Sequence, residues 1–461
     1  MDTVQTGSAG SLTAFVKRLH FYIGLFVGPF IFMAALTGTL YVLTPQIEQA
    51  VYKQQLTGVT QGEAKLLSDQ IHAAQQSLPH PLEIKSVRPA PSLGQTTRVL
   101  FNDPEIDHYR ARTVFVDPIT LEIKGELASY GTSGVLPLRI AIDFMHTDLL
   151  LGPVGRYYSE LAASWMWIAA LGGVFLWWQQ RRSFSRQTKA GSFAQARSRH
   201  AKVAIWISLG LLFFSATGLT WSKWAGGNIA EWRQAIGWVT PTVPRELTPM
   251  QNSGSHSGLH AEHQGMSDMK AVSDIHANTD LKLFNQVEHT ARQFGIDAGK
   301  IEIVPAPNAQ TAWVVKEIDR SWPTQVDEVA IDPMSMSVVA HAEFAQYPLV
   351  AKLIRWGIDA HMGVLFGLPN QLLLAAFGLA LCLVIVWGYK MWWQRRPMAA
   401  NTQQTLTQMW VRLSTGMKVM TVVIALLLGF ALPVMGLSLL AFCLIDVVRW
   451  RRVEYSLRSA A

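Results

Sequence analysis

Two stretches decide how this chain folds: RLHFYIGLFVGPFIFMAALTG at residues 18–38 and SRHAKVAIWISLGLLFFSATG at residues 198–218. Each places a histidine at its third position, continues almost wholly apolar, and closes on Thr-Gly. A helix needs roughly 20 apolar residues to cross a hydrocarbon core of about 30 Å. Both stretches meet that length, and they superimpose at an offset of 180, with His20 on His200, Thr37 on Thr217 and Gly38 on Gly218.

Working outward, Leu19–Leu43, Ser159–Trp178, Ala201–Trp221 and Gln371–Trp393 read as membrane spans. Thr415–Leu432 and Met435–Val448, parted by Pro433, read as a shorter hairpin. Half of the 461 residues are hydrophobic and gather in these runs. Lys and Arg mark the side on which short loops stay. They cluster before the first span (Lys17, Arg18), between the second and third (Arg181 to Lys202), after the fourth (Lys390, Arg395, Arg396) and after the last (Arg449, Arg451, Arg452). Both termini are therefore expected in the cytoplasm, and the long segments of 45–158 and 223–370 on the opposite side. The formal charge of +7 is accounted for by these loops, so no nucleic-acid role is assigned. The first apolar stretch is too long for a cleavable signal. Cys382 and Cys443 fall inside spans, which leaves no Cys for an outer disulfide or metal site.

A second offset, 215, lays His146 on His361, Gly152 on Gly367, Gly173 on Gly388 and Trp177-Trp178 on Trp392-Trp393. Between the anchors, the segment at Val87–Pro91 resembles Ile303–Pro307, and Val114–Pro118 resembles Val329–Pro333. Each outer segment reads as a helix (Gly62–Leu78; Leu281–Phe294) followed by short strands that turn at Asp-Pro. The duplicated unit is thus helix, outer α/β domain, helix. The expected division is a span at 12–44, an outer domain at 45–133, an interfacial helix and span at 134–182, and a cytoplasmic loop at 183–198. A span at 199–223 and a second outer domain at 224–347 follow, then an interfacial helix and span at 348–396. A cytoplasmic loop at 397–413, the hairpin at 414–450 and a tail at 451–461 complete the chain. The insert at 247–280 is rich in Ser, Gly, His and Met and reads as a flexible linker.

Four of 13 histidines occupy repeat anchors. His20 and His200 open the first and third spans, and His146 and His361 precede the second and fourth. Parallel repeats in membranes are related by an axis along the normal, so equivalent histidines would face each other. Facing neutral imidazoles can hold an iron porphyrin from both sides. A single such histidine would more often be interfacial or structural. Two matched pairs beside spans shift the reading to ligation. Gly24 and Gly28 follow His20 on one helix face, with Ala204 and Ser208 at the equivalent positions. That small stripe suits either clearance for a flat macrocycle or close helix packing. His256, His260 and His263 in the insert, with nearby methionines, suit copper-like metals by composition but lack fixed spacing.

These residues together carry a resemblance. The His-led first span ending in Thr37-Gly38, an outer domain with the Val-Asp-Pro turn, Asp143-Phe-Met-His146 and Asp359-Ala-His361 resemble the PepSY-associated transmembrane family of bacterial inner-membrane proteins, over roughly residues 12–397. The resemblance implies an α-helical membrane bundle with two periplasmic α+β (PepSY-like) domains and an internal duplication. It implies two haems b with His20, His200, His146 and His361 as axial ligands. It also implies electron transfer to the periplasm, with Fe(III) in a siderophore as acceptor. Some relatives carry a cytoplasmic flavin module, but the segment after Val448 is too short for one. The electron donor is therefore expected to be separate, a cytoplasmic flavoprotein or a quinol. Two rivals are a membrane-anchored PepSY binding or regulatory protein without redox activity, and a periplasmic copper-handling protein that uses the insert.

Overall fold

The computed structural model describes residues 8–107, 109–185, 192–247, 280–395 and 405–459. The insert histidines His256, His260 and His263 lie outside the described residues. In chain order the chain forms α1 (Ser8–Tyr22), a π-helical turn at Ile23–Val27, α2 (Gly28–Val42), α3 (Thr44–Val51), α4 (Lys53–Leu56) and α5 (Leu67–Ser77). Four strands follow, β1 (Glu83–Arg88), β2 (Thr97–Asn102), β3 (Arg110–Val116) and β4 (Ile123–Tyr130). Then come α6 (Pro137–Asp148), α7 (Arg156–Ser185), α8 (Ser192–Thr220), α9 (Trp224–Ala235) and α10 (Lys282–Phe294). The second set of strands is β5 (Ile301–Val304), β6 (Trp313–Glu317), β7 (Glu328–Ile331) and β8 (Val338–Ala342). The chain finishes through α11 (Leu349–His361), α12 (Gly367–Gln394), α13 (Leu406–Val411), α14 (Thr415–Ala431) and α15 (Pro433–Ser459).

Two units result: Met1–Tyr41 with Asp143–Trp232 and Leu372–Ala461, and Val42–Ile142 with Arg233–Gln371. The first is helical. Among the described residues five segments are long and apolar enough to span a membrane: Gly10–Val42, Gly152–Arg181, Phe193–Thr220, Gly367–Gln394 and Pro433–Arg452. The hairpin expected at the C-terminal end is unequal. Its first arm, α14, is a 17-residue apolar helix, whereas its second, α15, runs well past Val448. Ile23, Val27, Trp165, Ile207, Leu381 and Met435 form part of the core of this unit. Trp206 and Phe430 turn outward, 87% and 79% exposed, as suits an apolar surface facing lipid.

The C-terminal helices are fastened by one carboxylate. Asp446 on α15 accepts from the Tyr22 hydroxyl at 2.5 Å, the Leu406 and Thr407 N–H groups at 3.0 and 2.7 Å, and the Thr407 hydroxyl at 2.8 Å. α13 itself starts on a capping box, in which Thr405 and Gln408 satisfy each other's backbone N–H.

The second unit is an antiparallel sheet covered by two helices. α5 presents Leu67, Ile71 and Ala74, and α10 presents Phe284, Val287 and Ala291, the spacing of one helix face. Both faces enter one core with Val99, Phe101, Ile303 and Val315. Strand order is β4-β3-β2-β1-β5-β6-β7-β8, and the two meanders join where Val87 pairs with Ile303. Two separate outer domains, expected at 45–133 and 224–347, are here two halves of one eight-stranded sheet. Each half bulges before its last strand, between Phe115 and Val116 and between Ala330 and Ile331. The Asp-Pro turns explain themselves in both halves. Asp117 accepts from the N–H groups of Val59, Ile119 and Thr120, and Asp332 from that of Met334. These bonds hold the Asp117 and Asp332 carboxyls below the usual range, against burial in the case of Asp117.

Candidate functional site: three histidines on glycine seats

His20 and His200 come together in the helical unit, their ring centroids 6.4 Å apart and their planes nearly perpendicular, at 84°. An imidazole nitrogen lies about 2 Å from a metal that it binds, so two rings flanking one metal have centroids roughly 6 Å apart. The observed spacing matches. Both rings are partly buried.

Both rings rest on glycines of a neighbouring helix. A Cβ placed on Gly173 of α7 would stand 3.3 Å from His20 Cε1, and one on Gly388 of α12 would stand 3.8 Å from His200 Cε1. His200 Nδ1 meets the Val384 carbonyl at 2.8 Å. The ring of His20 lies beside the carbonyl of Ala169, and its Nδ1 makes no hydrogen bond. Ala169 and Val384 each precede their glycine by four residues. A glycine inside a helix costs about 1 kcal/mol relative to alanine, which the ring's approach must offset.

His146, at the end of α6, repeats the arrangement on α2. Its Cε1 would be 3.2 Å from a Cβ on Gly38, its ring lies beside the Ala34 carbonyl, and its Nδ1 is 3.1 Å from the Thr37 hydroxyl. The Thr-Gly pair that closes the first span is therefore a histidine seat. Burial pushes the pKa of His146 down to about 4, with Arg156 adding to the shift, so the ring is neutral at pH 7. Tyr158 turns its buried hydroxyl toward Thr37 without closing a hydrogen bond. Thr217 repeats the internal bonds of Thr37, to Phe213 at 2.8 Å and Phe214 at 3.4 Å, where Thr37 uses Met33 at 2.7 Å and Ala34 at 3.3 Å.

His361 ends α11 in the sheet unit, in a tightly braced setting. Asp359, wholly buried, takes the Arg320 guanidinium at 2.5 Å and that of Arg355 at 3.3 Å. Arg320 also reaches Ser133 at 2.9 Å, and Asn370 holds the Ala360 carbonyl at 3.0 Å.

The small stripe divides. A methyl on Gly24 would meet nothing within 4 Å, so the surface one turn beyond His20 is open. Gly28 is packed against the ring of Tyr389, 3.5 Å from where a Cβ would stand. The Tyr389 hydroxyl donates to the Leu25 carbonyl at 2.6 Å, inside the π-helical turn, where the usual backbone pairing is shifted. Gly28 thus serves helix packing. Ala204 packs against the apolar core, and Ser208 bonds back to the Ile205 carbonyl at 2.8 Å. His72 and His289 are exposed on α5 and α10, as their amphipathic helices suggest.

Among the described residues no group of three or more His, Cys, Asp or Glu side chains converges to hold a metal. A pair of imidazoles suits a metal that brings its own four equatorial donors, as a porphyrin does. Sequence reasoning found the histidines through the repeat. It missed Ala169, Val384, Ala34 and Tyr389, whose roles depend on which helices are neighbours.

Several apolar helices long enough to span, with an antiparallel α+β unit inserted between them, define a multi-pass membrane protein. The chain belongs to the family described as the PepSY-associated TM region, which it matches over residues 17–395. No curated protein matches the chain.

Proposed function

We propose that this protein is a haem-bearing reductase of a bacterial inner membrane. It takes electrons from a separate cytoplasmic flavoprotein or from quinol and delivers them to a periplasmic acceptor, Fe(III) in a siderophore. The observation that carries the reading is the His20–His200 pair, two imidazoles 6.4 Å apart. In this reading both termini are cytoplasmic and the sheet unit is periplasmic, as the basic short loops indicate. The shared element order and the matching bulges of the two sheet halves support a duplicated architecture.

His20 and His200 hold one haem b, and the open surface at Gly24 leaves room beside it. For the second haem, the sequence equivalence of His146 and His361 carries the assignment. When bound, a haem supplies one-electron exchange at an iron tuned by its ligands and burial. The chain's own work is to present neutral imidazoles, exclude water with the apolar helices and receive the chelate. Reduction releases the metal because hard oxygen donors favour Fe(III) over the softer Fe(II).

A reduced-minus-oxidised visible spectrum of the purified protein tests this reading, with haem counted per chain. Two haems per chain that ferric siderophore reoxidises are expected. Full-length protein without haem absorbance would leave a binding or regulatory role instead.

A further inference from the structure

The three seats share a construction, and at His146 and His200 it specifies which ring nitrogen carries the proton. A helical carbonyl at position i already accepts the N–H of residue i+4. The Cβ of residue i+4 leans back over it, because side chains on a helix tilt toward the N-terminus. A glycine at i+4 removes that cover and exposes the second lone pair. Ala34 with Gly38, Ala169 with Gly173 and Val384 with Gly388 all have this spacing under a histidine ring, and the Val384 carbonyl meets His200 Nδ1 at 2.8 Å.

A carbonyl can only accept, so a ring nitrogen paired with it must carry hydrogen. At the α2 seat the acceptor is a hydroxyl. Thr37 has one hydroxyl proton, directed at the Met33 carbonyl at 2.7 Å. Toward His146 Nδ1, 3.1 Å away, the hydroxyl therefore accepts.

We propose that His146 and His200 are each held as the tautomer protonated on Nδ1, with the Nε2 lone pair free. On this assignment Gly388 is a positioning residue that uncovers the acceptor for His200, and the Thr37 hydroxyl is the acceptor for His146. The metal-facing use of Nε2 rests on the haem reading above; the tautomer itself does not.

The test uses full-length protein labelled with 15N-histidine, with the His146 and His200 signals assigned by their loss in the H146Q and H200Q variants. In haem-free protein each ring should show a bare Nε2 and a protonated Nδ1. Thr37→Val keeps the volume but removes the hydroxyl. It should move the His146 shifts toward a mixture of tautomers, and Thr37→Ser should restore them. Gly388→Ala, whose methyl has ordinary contact distance to the ring, should act mainly on the Nδ1 shift of His200. In haem-loaded protein, Thr37→Val should raise one midpoint potential, because an imidazole that donates less from Nδ1 stabilises Fe(III) less. Protonation on Nε2 of His200 in the haem-free protein overturns the proposal, as does a Thr37→Val variant with unchanged His146 shifts. If the protein holds no haem, the potential measurement lapses and the nitrogen shifts alone decide.

Discussion

Arg88 on β1 donates to Glu302 on β5 from both Nε, at 3.0 Å, and Nη2, at 2.9 Å. This ion pair is buried where the two meanders meet. Ser86 adds a third donor to the same oxygen, at 2.9 Å. Breaking a buried pair from one side leaves a charge without its partner, which costs about 3–5 kcal/mol. Arg88→Met should therefore lower the melting temperature of the sheet unit markedly. Arg88→Met with Glu302→Leu should recover much of that loss, which thermal unfolding in detergent would show.

The same carboxylate gives a pH dependence. Burial pushes Glu302 up, but Arg88 and Lys316 outweigh it and hold the group below its ordinary value. Its stabilisation is complete above the unfolded glutamate value of about 4.3. It fades as the pH falls through the lower folded value. Glu48 has the opposite sign. Burial raises it despite the Leu136 N–H and Arg139, so its charge costs stability at neutral pH. Glu302→Gln should thus destabilise near pH 7 and converge with the wild type in acid. Glu48→Gln should be nearly neutral or stabilising near pH 7.

Asp446 supplies another expectation. Its removal strands the Leu406 and Thr407 N–H groups, at about 1–3 kcal/mol for each buried donor left without a partner. Asp446→Ala should release α13 and α15 from α1, seen as faster proteolysis of the C-terminal segment. Tyr22→Phe loses one of four bonds and should do so only slightly.

Topology can be read from the short arm. α14 has 17 residues, which at 1.5 Å each span about 25 Å, short of a 30 Å core but within reach if the bilayer thins. Both arms are expected to cross. A reporter fused to the C-terminus should then be active only on the cytoplasmic side, whereas periplasmic activity would mean that α14 lies in the interface.

The ligand assignment separates by substitution. His200→Ala should remove one haem and end reduction by the native donor, while an added chemical reductant still reduces the other haem. His361→Ala should spare the haem of the His20–His200 pair and abolish siderophore reduction. Two haems per chain in a His20→Ala, His200→Ala double variant would refute the pair.

The spans and the anchored histidines were legible because their signals are local: long apolar runs, and constant offsets between residues that the repeat preserves. The Gly24 and Gly28 stripe was ambiguous for a physical reason. A small residue facing open space and one facing Tyr389 have the same sequence signature, and only the neighbouring helix tells them apart. The joined sheet was illegible because its junction rests on β1 meeting β5, with no turn to announce it. The seats were half visible. Gly38, Gly173 and Gly388 stood out as repeat anchors, but the carbonyls that they uncover carry no side-chain signal at all.

The Val87–Ile303 pairing also imposes a timetable on synthesis. β5 leaves the ribosome some 216 positions after β1, an interval on the order of 10–40 s at typical translation rates. Throughout it the edge of β1 in the first meander has no partner, and an open edge is a template for the wrong one. A newborn chain stopped after its second span should therefore associate with other such chains through β1. That edge stays open until the second meander arrives to close it.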